Sequence, residues 1–139
     1  MHKSVLETYQ LKRIADFRIK GNTFLIETTD FATVGLSGCI YAFVINGEIV
    51  RVGSSARPLK MRLSEWMRDV SKSLEGGRSP TPTDEAERWR RAVTHDSDCA
   101  IYARQGTCVT TTVGSFTAYL DEERIIIAQH RPRLNRSLK

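Results

Sequence analysis

The clearest pattern in the chain is the unbroken apolar run Cys39-Ile-Tyr-Ala-Phe-Val-Ile45, which has the length of a strand. An apolar run without alternation predicts a central strand covered on both faces. Asn46-Gly47 follows it, a strong hairpin signal, and Glu48-Ile-Val-Arg-Val52 reads as the returning strand. Upstream, Phe17-Arg-Ile-Lys-Gly-Asn-Thr-Phe-Leu-Ile26 predicts another hairpin, turning at Gly21-Asn22. Residues 1–15 fit helix and strand equally well. Pro58 suits a first helical position, and Leu59, Leu63, Trp66 and Val70 continue at helical spacing, so a helix is expected to about Leu74. Gly76 to Thr83 is rich in Gly and Pro and reads as a loop. Asp84 to Val93 is an amphipathic, arginine-rich helix, Cys99 to Ala103 a third core strand, and Thr107 to Thr112 a candidate further strand. Phe116 to His130 predicts a last helix stopped by Pro132. The expected fold is α/β (α+β): a small central mixed sheet opened by a β-hairpin and flanked by helices. The expected division is an N-terminal arm and hairpin over 1–37 and a domain over 38–139.

Composition narrows the class. With 139 residues, 40% hydrophobic and 27% charged, the chain has the make-up of one globular domain, which excludes whole-chain disorder and collagen-like structure. No apolar run reaches the roughly 20 residues of a membrane helix. No apolar stretch follows a basic one at the N-terminus, and Cys39, Cys99 and Cys108 share no metal-ligand spacing. Together these features predict a cytoplasmic protein without a disulfide framework. The formal charge of +5 is unevenly placed. Arg57 to Arg91 holds nine basic and six acidic residues, and Arg124 to Lys139 holds five basic residues and no acid. Such a surplus suits an anionic partner, nucleic acid above all, but equally a solvated basic face.

Three fragments carry chemistry in order: Cys39-Ile-Tyr41, Arg51-Val-Gly53 and Leu59-Lys-Met-Arg62. A fourth closes the chain, with Glu123 followed by Pro132 and Asn135. This set resembles the GIY-YIG nuclease family over roughly Gly38 to Asn135. Glu123 to Asn135 looks like the end of the nuclease domain of excision-repair excinucleases, and Ile101 to Gln105 is similar to the phage endonuclease II branch. Two positions depart from the family pattern. Cys39 replaces the first glycine, and Arg51 replaces the second tyrosine.

The resemblance implies a metal-dependent endonuclease acting on double-stranded DNA. Tyr41 is then the general base that activates water, and Arg62 stabilises charge on the phosphate. Glu123 carries one Mg2+ or Mn2+ ion, and Asn135 holds the site together. Arg51 assists Tyr41 or contacts the phosphate.

The residue pattern offers its own tests. A two-residue turn at Asn46-Gly47 pairs Ala42 with Arg51, whereas a three-residue loop pairs Tyr41 with Arg51 directly. The second arrangement is expected, because it puts a cation beside the phenol and favours the phenolate. On the last helix, Phe116, Leu120, Ile126 and Ile127 are expected to share an apolar face with Glu123 at its centre and Glu122 at the solvent edge. A carboxylate so placed needs a cation or donors. A single carboxylate with waters suits magnesium, which keeps much of its hydration. A slip of one residue to Glu122 stays open. His130 reads as a helix-end residue. Arg57, Lys60, Arg88, Arg90, Arg91, Arg131 and Arg133 are candidate DNA contacts. Cutting both strands needs two sites, so a homodimer or higher oligomer is expected. Two other readings stay open: a non-catalytic nucleic-acid-binding module on the same fold, and a sequence-specific type II restriction endonuclease.

Overall fold

A computed structural model of the chain describes residues 4–135. The elements are α1 (Val5–Thr8), β1 (Lys12–Lys20), β2 (Thr23–Thr28), α2 (Phe31–Val34), β3 (Cys39–Ile45), β4 (Glu48–Ser55), α3 (Leu59–Leu74), α4 (Thr83–Ala92), β5 (Cys99–Gln105), β6 (Cys108–Thr111), β7 (Gly114–Thr117) and α5 (Tyr119–His130). Five strands form one sheet in the order β2-β1-β5-β3-β4, while β6 and β7 make a separate two-stranded ribbon. Every pairing in the large sheet is antiparallel, so the expected mixed sheet is corrected to an antiparallel one. The reason is topological: each neighbouring pair is joined by a hairpin or by a return from the opposite end.

The run Cys39–Ile45 is the strand covered on both faces, with all seven residues buried. On one face Tyr41 and Phe43 meet Phe17, Phe24, Ile101, Leu59, Leu63, Trp66 and Trp89 in the larger core. Phe43 is the hub, with ring centroids 5.2 Å from Phe17, 5.1 Å from Trp66 and 5.0 Å from Trp89. On the other face Ile40, Ala42, Val44 and Val52 meet Leu6, Leu11 and Ile126 in a smaller core. Helices α3 and α4 supply the cover on the first face, and α1 and α5 on the second.

Within 1–37, expected as an arm and hairpin, residues 12–20 and 23–28 form β1 and β2 of the large sheet. Strand β1 pairs with both β2 and β5, so it lies inside the sheet, and Ile14, Phe17 and Phe24 belong to the larger core. Residues 4–15 resolve the helix-or-strand ambiguity by being both in turn. Ser4 caps α1 by accepting from the Glu7 amide, and β1 begins at Lys12. The short α2 was not foreseen; Asp30 caps it by accepting from the Thr33 amide at 3.0 Å.

Strand β4 lies at the edge of the sheet, where unpaired backbone groups need cover. The segment after α5 provides it. The Leu134 amide donates to the Val50 carbonyl at 2.8 Å, and Leu134 is buried.

Two substitutions test this division of burial. Phe43→Ala should cost about 3–5 kcal/mol, as a large aromatic lost from a packed hub does. Phe116→Ala, at a ring half-exposed on β7, should stay within about 0.5 kcal/mol. Urea denaturation of the two variants beside the wild type reads both values.

Candidate active site

The site is built around β4. Asn46 and Gly47 both take left-handed backbone angles, φ 50° and 84°, so the β3–β4 turn has two residues and pairs Ile45 with Glu48. The register then shifts: Val44 pairs with Ile49, but Phe43 pairs with Arg51. Val50 is the extra residue of a β-bulge. The expected direct pairing of Tyr41 with Arg51 is therefore corrected: Tyr41 faces Gly53. The bulge nonetheless leaves Tyr41 and Arg51 on the same face, as diagonal neighbours. A Cβ at position 53 would fall inside the Tyr41 hydroxyl, so only glycine admits the phenol there.

The Tyr41 side chain is 1% exposed. Its oxygen accepts from the Trp66 indole N–H at 2.8 Å and from Arg62 Nε at 3.3 Å. Arg62 and Trp66 stand one helical turn apart on α3, which lets both reach one oxygen. The Trp66 ring is flanked by two cations, with the Arg51 guanidinium carbon 5.0 Å and that of Arg62 5.4 Å from its centroid. Burial opposes the charge on Arg62, but the Tyr41 oxygen, Glu65 and Asp69 outweigh it, so the guanidinium holds its proton more firmly than usual. Arg51 is itself buried. It donates to Glu85 on α4 at 3.1 Å and to the Leu134 carbonyl at 2.9 Å. A small cleft of about 70 Å³, lined by Arg62, Trp66, Asp69, Pro80 and Thr81, opens beside this network and has room for several waters.

On the opposite face of the same strand, the next residue, Ser54, donates to Glu123 Oε1 at 2.9 Å. No other described residue bonds the Glu123 carboxylate. Glu122 is differently occupied: it pairs with Arg104 at 2.6 Å and accepts from the Thr107 amide at 2.7 Å and the Thr107 hydroxyl at 2.8 Å. Burial pushes the Glu122 carboxyl up, but Arg104 and the two Thr107 donors prevail and hold it below its usual range. The expected apolar face of α5 needs correction. Phe116 lies on β7, Leu120 is half-exposed, and Ile126 alone is fully buried on that helix. The helix starts three residues later than its apolar spacing suggests, because the ribbon takes 116 and 117. Glu123 is thus partly exposed rather than centred in an apolar face.

At the edge, the Asn135 amide clasps Val52, accepting from its N–H at 2.8 Å and donating to its carbonyl at 3.1 Å. Tyr41 and Arg62, Glu123 and Asn135 therefore converge on three consecutive residues, Gly53, Ser54 and Val52. His130 ends α5, its ring Nε2 2.7 Å from the Tyr9 hydroxyl. Among the described residues no cluster of three or more His, Cys, Asp or Glu could hold a metal. Glu123, with one oxygen on Ser54 and the other unclaimed, fits a hydrated divalent ion held by one carboxylate.

The basic candidates divide. Lys60, Arg91 and Arg131 are exposed. Arg57 pairs with Glu65 and Arg133 with Glu48, surface contacts that cost little to break. Arg88 is partly buried, and its Nε has no partner among the described residues. Arg90 is engaged on the β1–β2 turn, donating to the Gly21 carbonyl and Asn22. Sequence reasoning missed Ser54 and Glu85 and treated Trp66 as core alone. The adjacency of Ser54 to Arg51-Val-Gly53 was the one available signal; Glu85 left none.

No family model matches the chain, and no curated protein matches it. Among solved structures, a mutant of bacteriophage T4 EndoII superposes with a TM-score of 0.65 at 19% identity, covering 95% of this chain and 96% of that one. The restriction endonuclease HPY188I in complex with product DNA superposes with a TM-score of 0.54 at 16% identity, covering 96% of this chain and 81% of that one. The chain thus shares the fold of these two proteins. The likeness spans nearly the whole chain and so reaches well beyond the motifs.

Glu122 and Gly53 give two predictions. Because the folded protein holds the Glu122 carboxyl below its unfolded range, the unfolded state binds more protons there. That stability is complete at neutral pH and lost as the pH falls through the carboxylate range. Glu122→Gln should cost about 2 kcal/mol at pH 7, as a charged hydrogen-bonded group does, and much less at pH 3; thermal melts at the two pH values measure it. Gly53→Ala should displace the Tyr41 ring and lower stability by about 1–3 kcal/mol, the range for overpacking; tyrosine resonances in an NMR spectrum report the displacement.

Proposed function

We propose that the protein is a metal-dependent DNA endonuclease. One observation carries the reading: a phenol with a guanidinium on one face of β4, a carboxylate on the other and an amide at its edge all meet at Val52, Gly53 and Ser54. The fold is one that two endonucleases share, and one of these was solved with product DNA. No described helix is long and apolar enough to cross a membrane, and the excess of Lys and Arg suits a polyanion.

In this reading Arg62 stabilises the charge that develops on the phosphate, and its firmly held proton keeps it a cation at any working pH. Tyr41, entering the step as its phenolate, takes a proton from the attacking water and becomes the phenol, with the Arg62 and Trp66 donors holding its oxygen in place. Glu123, steadied by Ser54, would hold magnesium or manganese, whose chemistry when bound is to offset charge at the leaving 3′-oxygen. Asn135 keeps Val52, and hence the strand bearing Gly53 and Ser54, in register. Arg51 acts from within the fold, since Glu85 and Leu134 hold its guanidinium. Lys60, Arg57, Arg88, Arg91, Arg131 and Arg133 would contact phosphates of double-stranded DNA and fix position without reading sequence. Two-strand cleavage would need a homodimer or higher oligomer.

A second reading has its own support. Tyr41 is 1% exposed and Arg51 is committed to Glu85, an arrangement that also suits a DNA-binding module without catalysis. Supercoiled-plasmid nicking with magnesium and with manganese separates the two. The endonuclease reading expects cleavage by the wild type, a loss of about 100-fold or more in Glu123→Ala, and about 100–1,000-fold in Arg62→Ala, the scale for removing one transition-state donor. Salt-dependent DNA binding with no nicking under either metal would overturn it in favour of the module. Discrete fragments from linear DNA would mark a sequence-specific restriction enzyme.

A further inference from the structure

Arg51 stands at the second tyrosine position of the motif, and the structure gives it a defined set of neighbours. Its guanidinium donates to Glu85 Oε1 at 3.1 Å and to the Leu134 carbonyl at 2.9 Å, and it lies over the Trp66 ring at 5.0 Å. Glu85 is 1% exposed, on a helix that otherwise packs by Ala86 and Trp89. A carboxylate that deep is costly unless a cation and further donors hold it, and removing either partner leaves a buried charge. The pair therefore constrains where the Arg51 fork can lie. The Trp66 indole, held between Arg51 and Arg62, in turn spends its one N–H on the Tyr41 oxygen at 2.8 Å. The charged groups around that phenol are Arg62, with Glu65 and Asp69 beside it, from α3 and, across the indole, Arg51 of β4 with Glu85 of α4. Arg104 and Glu122 belong to the opposite face of the sheet with α5.

We propose that Glu85 is a positioning residue: through Arg51 it fixes the Trp66 ring, and the Trp66 N–H holds the Tyr41 phenol toward Arg62. This deepens the endonuclease reading and rests on it for the consequence in catalysis. The coupling itself can be read without any activity. A planar, delocalised guanidinium both forks to a carboxylate and stacks on an indole. A tyrosine at position 51 could offer Glu85 one hydroxyl but no cation. Arg51, a departure from the motif, and Glu85 thus belong together, and both act through Trp66.

The experiment uses the full chain, whose only two tryptophans, Trp66 and Trp89, give two indole N–H signals in a nitrogen–proton NMR spectrum. Trp66→Phe assigns the pair, and Tyr41→Phe shows how far the Trp66 signal moves when its acceptor is lost. Glu85→Gln keeps the shape and removes the charge. It should move the Trp66 signal while leaving Trp89 nearly in place, lower the single-turnover cleavage rate about tenfold, leave DNA affinity unchanged, and shift the rise of rate with pH. Arg51→Lys keeps a cation for Glu85 but loses the planar stack, so it should move the Trp66 signal too, and it serves if Glu85→Gln fails to fold. A Trp66 signal unmoved in a folded Glu85→Gln or Arg51→Lys protein would overturn the inference. A moved signal in a protein that never cuts DNA would keep the coupling and defeat the endonuclease reading instead.

Discussion

Strand β4 carries one residue more than β3 between the hairpin turn and Arg51, and that residue, Val50, decides which side chains share a face. Side chains alternate along a strand, so a slip of one residue would send Arg51 to the face of Ala42 and Val52. The bulge absorbs the slip. It keeps the two-residue turn that Asn46-Gly47 favours, lets Val50 enter the larger core, and returns Arg51 to the side of Tyr41 and Phe43. Two residues later Gly53 comes opposite Tyr41, where its lack of a side chain makes room for the phenol. The bulge also bends the edge strand where the C-terminal segment docks, with Leu134 on Val50 and Asn135 on Val52.

From that register the two faces follow. One is aromatic and cationic: Trp66 links Arg51, Arg62 and Tyr41, and Glu85 is the one buried carboxylate among the described residues. The other presents Ser54 bonded to Glu123, while Arg104 is committed to Glu122. The neighbouring glutamates of α5 thus do different work. Glu122 ties the helix to β5 and to the start of the ribbon through Arg104 and Thr107, and Glu123 is left with an oxygen to offer. A buried ion pair such as Arg51–Glu85 gives little net stability relative to apolar packing. Its physical effect is to restrict geometry, since every displacement of the guanidinium exposes one charge to an apolar wall.

Much of this was legible in the chain. The central strand, the Gly21-Asn22 and Asn46-Gly47 turns, the helix from Leu59 to Leu74 and the order of Tyr41, Arg62, Glu123 and Asn135 all follow from local pattern, which depends on residues close in sequence. The rest depends on contacts between distant segments. The Val50 bulge has no local signature, so the direct Tyr41–Arg51 pairing was a reasonable but mistaken expectation. The ribbon β6–β7 removed Phe116 from the last helix, because Gly114, at φ 145°, permits a tight turn there. Glu85 looked like any first-turn acid of a charged helix; only the tertiary fold brings it to Arg51, 34 residues away in the chain. Strand β1 looked peripheral because it precedes the motifs, yet it pairs with β5, nearly 90 residues later.

If the groups on the two faces of β4 work as one site, losing one group should remove most of what the other contributes. A double-mutant cycle between Tyr41→Phe and Glu123→Gln, read as single-turnover DNA cleavage rates, addresses it most directly. Residues that act as a unit are strongly non-additive: losing the second adds little once the first is gone. The double variant is expected to be no more than a few-fold slower than the slower single variant. Full additivity, with the two losses multiplying, would show two independent contributions and contradict it.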